Sequence, residues 1–186
     1  LGIKALASAL ENKPMQKLLL GGNNLGLEGI NTLMPALEKS KTLVFLQLSR
    51  DEIVSEGAKI LAYFLAMNTT LMRLNLRGNQ LGPAGSHAIA LSLGKNTTLK
   101  CINLNANQIG EPLVNDVIFI LEHNTSLMVL DVVGNGLSDD HIKKIIPALE
   151  KNTTIQTLEI IPNQQKFNSE SNVPRDSLKK ALTSLL

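Results

Sequence analysis

"KNTTLKCINLNANQIG", residues 95–110, decides how the rest of the chain is read. Leu99, Ile102 and Leu104 are aliphatic, Asn107 follows, and Ile109 stands two places on. Alternation at 102 and 104 predicts a short strand with one buried face. The same spacing recurs at Leu71-Leu74-Leu76-Asn79-Leu81 and at Leu127-Leu130-Val132-Asn135-Leu137. It recurs at Met15-Leu18-Leu20-Asn23-Leu25, at Leu43-Leu46-Leu48-Asp51-Ile53, and breaks off after Ile155-Leu158-Ile160-Asn163. The starts are 15, 43, 71, 99, 127 and 155, so each step is 28 residues. Six matches in one register are beyond chance, and self-similarity at such a period means an array.

The second half of each unit changes period. Apolar residues fall at i, i+3, i+4 and i+7, as in Ile30-Leu33-Met34-Leu37 and Ile142-Ile145-Ile146-Leu149, which is one face of a helix. Each unit is therefore a strand, a turn, a helix and a return loop. Parallel strands require such a crossover, right-handed by rule. Stacking the units buries one continuous core between a concave parallel sheet and a convex layer of helices. The expected fold is an α/β solenoid, a curved horseshoe segment. Pro35 and Pro147 share a register in the helices, facing outward, where a bend or a shortened helix is expected.

Asn107 then has a structural reading. Where the strand ends and the chain turns, backbone groups lose their ladder partners, and an amide that both donates and accepts ties successive turns together. Asp51 breaks this column, because an ionised carboxylate cannot donate. It is exposed, or compensated by Arg50 or another cation, or its rung is weak. The tripeptide Asn96-Thr97-Thr98 recurs as Asn68-Thr69-Thr70, Asn124-Thr125-Ser126 and Asn152-Thr153-Thr154, always between helix and strand. Asparagine tolerates a left-handed helix stop and threonine suits a strand entry. In a secreted protein these would be glycosylation acceptors, but the lone Cys101 favours a reducing compartment.

The 28-residue unit, its helix, and the phrase "NTTLMRLNLRGNQLGPAG" (residues 68–85) resemble ribonuclease-inhibitor-type leucine-rich repeats. That family includes ribonuclease inhibitor, the Ran GTPase-activating protein, the sensor region of NOD-like receptors and the C-terminal region of tropomodulin. The resemblance covers about residues 1–163 and implies a scaffold that binds other proteins through its concave face and rim loops. Ribonuclease inhibitor itself is cysteine-rich, unlike this chain. A fold analogy fixes no partner.

One domain over 1–186 is expected, with a partial-repeat helix in 1–14, repeats from 15, 43, 71, 99 and 127, and a C-terminal unit over 155–186. In that last unit the helical set Leu178, Ala181, Leu182 and Leu185 begins eight residues later than the register requires, at 178 instead of 170. Residues 164–173 are thus an insertion, read as a terminal cap or a binding loop. At the other end Ile3, Leu6, Ala7 and Leu10 form a helix that precedes the first strand, which leaves that strand an open edge; a monomer is expected, with end-to-end association at this edge as the alternative. Eighteen basic against 16 acidic residues give a net charge of +2, no case for nucleic acid or a membrane surface. No apolar run reaches the roughly 20 residues of a membrane span, and a cytoplasmic setting is expected, the host cytoplasm if the chain is a bacterial effector.

Nothing in the sequence assembles catalysis, and no cofactor is implied. His87 is placed on a helix, His123 in a helix-to-strand loop and His141 at a helix start, in three registers that do not converge. Asp139-Asp140-His141 reads as a helix cap and not as a metal site. What is left is the concave face, at the odd strand positions. Phe45, Gln47, Arg73, Asn75, Arg77, Asn103, Asn105, Asp131 and Glu159 are the expected protein-binding residues, basic in the middle and acidic toward the C-terminal end. Phe45, Val129, Val133 and Ile161 supply its exposed apolar points. The patch is small, on the order of 300 Å² from strands about 4.8 Å apart, against roughly 800 Å² per partner in a standard interface. A non-enzymatic protein-binding scaffold is the expected function. The resemblance also implies two alternatives, a GTPase-activating protein of the Ran type using Arg50, Arg73 or Arg77, and an actin-capping module of the tropomodulin type.

Overall fold

The 28-residue step sets the architecture. In the computed structural model, which describes residues 2–10 and 13–161, α1 (Gly2–Leu10) is followed by six strand-led units. They are β1 (Lys17–Leu19) and α2 (Gly26–Lys39), β2 (Phe45–Gln47) and α3 (Ser55–Met67), and β3 (Arg73–Asn75) and α4 (Gly82–Leu93). Then come β4 (Cys101–Asn103) and α5 (Leu113–His123), β5 (Val129–Asp131) and α6 (Asp139–Lys151), and β6 (Thr157–Glu159). The strands pair in parallel, in chain order, in one six-stranded sheet. Lys17, Phe45, Arg73, Cys101, Val129 and Thr157 stand side by side, so the sequence period is the sheet register. The insertion at 164–173 and the helical set from Leu178 lie outside the described residues.

Strand centres and the aliphatic residues flanking them point into the helix layer. Leu46, Leu48, Leu71, Leu76, Leu99 and Leu127 are buried, as are Ile30, Leu61, Ile89, Val117 and Ile142 from the helices. Each such burial contributes about 1.5–3 kcal/mol before chain entropy is set against it. The helices approach closely where side chains are missing. A Cβ on Gly85 would stand 2.8 Å from the Ala58 Cβ and 3.2 Å from the Ser55 Cα, so α4 lies on α3 through a glycine. Pro35 and Pro147 are exposed, and α2 and α6 run through them at 14 and 13 residues. The helices are therefore not shortened at either proline.

The tight turn after each strand demands a left-handed backbone at one register. Gly22, Arg50, Gly78, Ala106 and Gly134 have φ of 81°, 58°, 69°, 55° and 73°. Only glycine adopts this conformation without a steric cost, about 1–2 kcal/mol for other residues. Ala106→Gly is therefore expected to raise stability by about 0.5–1 kcal/mol, the strain relieved being partly offset by glycine's greater freedom in the unfolded chain. Urea denaturation reads this directly; an unchanged midpoint would show that the turn absorbs the strain elsewhere.

Two asparagine columns tie the units together. In the first, Asn79, Asn107 and Asn135 are buried behind the strand ends. The Asn107 amide donates to the carbonyls of Leu76 at 3.0 Å and Leu104 at 2.8 Å, and its backbone N–H donates to Asn135 Oδ1 at 2.8 Å. Its own Oδ1 is buried without a partner, so the third and fourth turns lack the N–H to Oδ1 link and are joined in this column through the Leu76 carbonyl. The second column is the tripeptide series. Asn68, Asn124 and Asn152 are extended, with φ/ψ of −79/134°, −87/132° and −76/133°, and do not form the left-handed stop expected from residue type. They serve through their side chains. Asn124 donates to the Leu93 carbonyl at 2.6 Å and accepts from the Ser126 and Leu127 N–H groups at 2.9 and 2.6 Å. A glycan on such a buried, donating nitrogen would break the joint between two units.

Candidate functional site

Odd positions of the strands face away from the helices and form three columns. Lys17, Phe45, Arg73, Cys101, Val129 and Thr157 make one; Leu19, Gln47, Asn75, Asn103, Asp131 and Glu159 make the next. The third continues just past the strands with Ser49, Arg77, Asn105, Val133 and Ile161. The sheet thus brings all nine residues expected from sequence onto one face, and they differ in how free they are. Arg73, Arg77 and Glu159 are exposed, while Phe45, Gln47, Asn75, Asn103 and Asn105 are half-buried.

The middle column is partly committed to the fold. Asn75, Asn103 and Asp131 each accept, through a side-chain oxygen, the backbone N–H two residues on, from Arg77, Asn105 and Val133, all at 3.0 Å. Asp131 also takes the Asn103 amide at 2.6 Å and is only 8% exposed, so its charge is largely withdrawn from the face where sequence placed it. Gln47 accepts the Gly21 N–H at 2.7 Å. These bonds fix the backbone of β3–β5 before any partner arrives, which lowers the ordering cost of binding. Among the apolar points, Phe45, Val129 and Val133 are half-buried, whereas Ile161 at 53% and Leu19 at 61% are open.

Reactive groups do not converge. Cys101 lies in β4 beside Arg73, and burial pushes its thiol up, so it is held protonated on the sheet face. His123 is the last residue of α5, not a loop residue, and stacks on Phe119 with ring centroids 4.2 Å apart. His141 completes a capping box with Ser138, the role expected for the acidic run, with serine as the cap itself. Among the described residues no three His, Cys, Asp or Glu side chains group as metal ligands.

Ser86, His87 and Asp116 are a cluster sequence reasoning missed, because its members are 29 and 30 residues apart in different registers. The buried Asp116 carboxylate accepts Ser86 Oγ at 2.6 Å and meets His87 Nδ1 at 2.9 Å. Both partners bond the same carboxylate, so the imidazole does not stand between acid and hydroxyl as a nucleophile's base must. The trio joins α4 to α5. A cleft of about 470 Å³ opens beside β1, between Ile3 and Leu6 of α1 and the Leu20–Leu25 turn. No helix among the described residues is long and apolar enough to cross a membrane.

Comparison with known proteins agrees with this geometry. A leucine rich repeat family model matches residues 68–90, 95–112 and 123–145. Among solved structures, leiomodin-1 actin-binding site 2 is similar at 17% identity and a TM-score of 0.55, over 99% of this chain and 87% of that one. The tropomodulin C-terminal domain of Caenorhabditis elegans is similar at 14% identity and a TM-score of 0.58, over 100% and 93%. At these identities the likeness is one of fold. No curated protein matches the chain.

Proposed function

We propose that the chain, whose repeats resemble the ribonuclease-inhibitor type and match a leucine rich repeat model over residues 68–90, 95–112 and 123–145, is a non-enzymatic scaffold holding a protein partner on the concave sheet. The observation that carries this is the fixed face itself. Exposed arginines and half-buried Phe45 and Val129 are displayed in register on strands whose backbone Asn75, Asn103 and Asp131 already hold. Aromatic and arginine side chains over a rigid backbone are the ingredients of a protein-binding patch. Because the patch is small, either the rim turns supply the remaining area or the binding is weak. The reading includes residues 1–186 as one domain acting in the cytoplasm as a monomer, with the β1 edge and its cleft as the place where copies would meet end to end.

Affinity capture from a cell lysate tests it, with wild type beside Arg73→Glu/Arg77→Glu and circular dichroism confirming that both are folded. Loss of a captured protein in the double variant is the expected result, a reduction of at least about tenfold, since each desolvated charge contact is worth about 1.5–3 kcal/mol. Capture indifferent to the change would move the site off the mid-sheet.

A second reading is an actin partner, favoured by the likeness to leiomodin-1 actin-binding site 2 along nearly the whole chain. Pointed-end elongation of actin filaments discriminates it, and no effect at saturating protein would discard it.

A further inference from the structure

All three arginines among the described residues stand on two adjacent units, the second and the third. Arg73 and Arg77 rise from the same face of β3 and its continuation, and Arg50 stands at the turn of the preceding unit. The ion pairs among the described residues use lysine and histidine, and none of them takes an arginine. The Arg50 N–H donates to the Arg77 carbonyl at 2.9 Å, so the two residues are joined through the backbone.

Arg50 sits at φ 58°, in the register that Gly22, Gly78 and Gly134 occupy in other units and that Ala106 occupies at φ 55°. Its side chain crosses the neighbouring turn where Gly78 lacks a Cβ; one placed there would come within 3.0 Å of the Arg50 Cγ. The strain belongs to the turn, since Ala106 shares it, but like charges placed on adjacent units without an opposite charge to offset them are a reason to look for the missing anion. The nearby acids do not fill that role. Asp51 is buried beneath the turn, Glu52 is exposed outside any ion pair, Asp131 is turned into its bonds with Asn103 and Val133, and Glu159 is three strands away, about 14 Å.

We propose that Arg50, Arg73 and Arg77 form a recognition site for the carboxylate side chains of an extended acidic segment in the partner protein. The inference rests on the sheet face being the binding surface and names the chemistry read there. Arg73 and Arg77 are four residues apart on an extended backbone, about 13 Å, which matches acids at i and i+4 of a segment lying along β3. Guanidinium groups meet carboxylates in paired, geometrically defined bonds that lysine cannot reproduce. A long polyanion such as nucleic acid is disfavoured, because beyond the patch it meets Glu159 and a chain of net charge only +2.

The test is fluorescence anisotropy of a labelled octaglutamate peptide with the full chain, beside octalysine, an eight-nucleotide oligothymidylate and inorganic phosphate. Octaglutamate is expected to bind and octalysine not to. Affinity should fall about tenfold in Arg73→Glu/Arg77→Glu and several-fold in Arg73→Lys/Arg77→Lys. Arg50→Gly gives the most discriminating readout: melting temperature rises as the strained turn relaxes, while affinity falls about threefold or more for the lost charge contact. Failure of octaglutamate to bind, or binding unchanged in these variants, overturns the proposal. Oligothymidylate or phosphate binding as tightly at the same arginines overturns it in favour of a phosphate site. If Phe45→Asp abolishes lysate capture while octaglutamate does not bind, the face is still a docking surface and only its acidic chemistry is refuted. If octaglutamate binds through the arginines while lysate capture ignores the face, the site stands and the captured protein sits elsewhere.

Discussion

Asn79→Ala is expected to lower stability by about 3–4 kcal/mol, a large share of what a domain of this size has to lose. Asn79 is 1% exposed and makes four bonds. Its Oδ1 accepts the N–H groups of Asp51 at 3.0 Å and Ile53 at 3.1 Å. Its Nδ2 donates to the carbonyls of Leu48 and Leu76, both at 2.8 Å. Alanine removes all four at once and leaves two buried N–H groups without those acceptors. An unpaired buried polar group costs about 1–3 kcal/mol, reduced here because Leu76 also receives the Asn107 amide at 3.0 Å. Because the bonds join the second unit to the third, cooperativity should fall as well, and the urea m-value with it. Asn75→Ala serves as the comparison: its Oδ1 holds only the more exposed Arg77 N–H, and a loss of about 0.5–1 kcal/mol is expected. Equal losses for the two variants would show that the buried column is not what couples the units.

The difference between Asn75 and Asn79 was legible in the sequence, and the reason is the period. Residue 79 falls on the column of Asn23, Asn107 and Asn135, residue 75 on an odd strand position, and 28-residue arithmetic assigned both to their sides of the sheet. Strand positions were readable to the residue because slipping by one would expose every leucine. Backbone angles were not, since asparagine is compatible with both the left-handed and the extended state; only the structure shows that Asn68, Asn124 and Asn152 use the second. Asp131 was assigned to the open face correctly by parity, but its burial depends on Asn103 one strand away, a contact that parity does not express. Arg50 carried a usable signal. It occupies the register of Gly22, Gly78 and Gly134, so a strained turn was deducible from the alignment of units. The Ser86–Asp116 bond spans 30 residues, off the period, and no register argument reaches it.

Asp51→Asn tests the same column from the opposite side, with an expected gain of about 2 kcal/mol at neutral pH. Asp51 is fully buried, and no ion pair among the described residues includes it, so exposure and a compensating cation are both ruled out as its reason. Oδ1 accepts the Asn23 N–H at 2.8 Å, as Asn79 and Asn135 do for the turn before them, while Oδ2 is buried without a partner. In the other turns the amide nitrogen at this place donates to the carbonyls 31 and 3 residues earlier. For position 51 those carbonyls are Leu20 and Leu48, and an ionised oxygen facing them is repelled. Burial raises the Asp51 carboxyl above its ordinary range, against the backbone N–H groups of Asn23, Leu25 and Gly22, which lower it. The sign of the pH effect follows. Below the unfolded pKa, about 4, the acid is neutral in both states and costs nothing by ionisation. As pH rises through the higher folded value, the unfolded chain gives up its proton first, and stability is lost until the folded carboxyl has ionised too. Asparagine has no such proton, so the stability difference between variant and wild type should be largest at neutral pH and shrink toward about pH 4. Thermal melts of both proteins across that range read it. A difference that stays flat, or a variant less stable than wild type, would mean that the carboxylate is held in its ionised form by the turn.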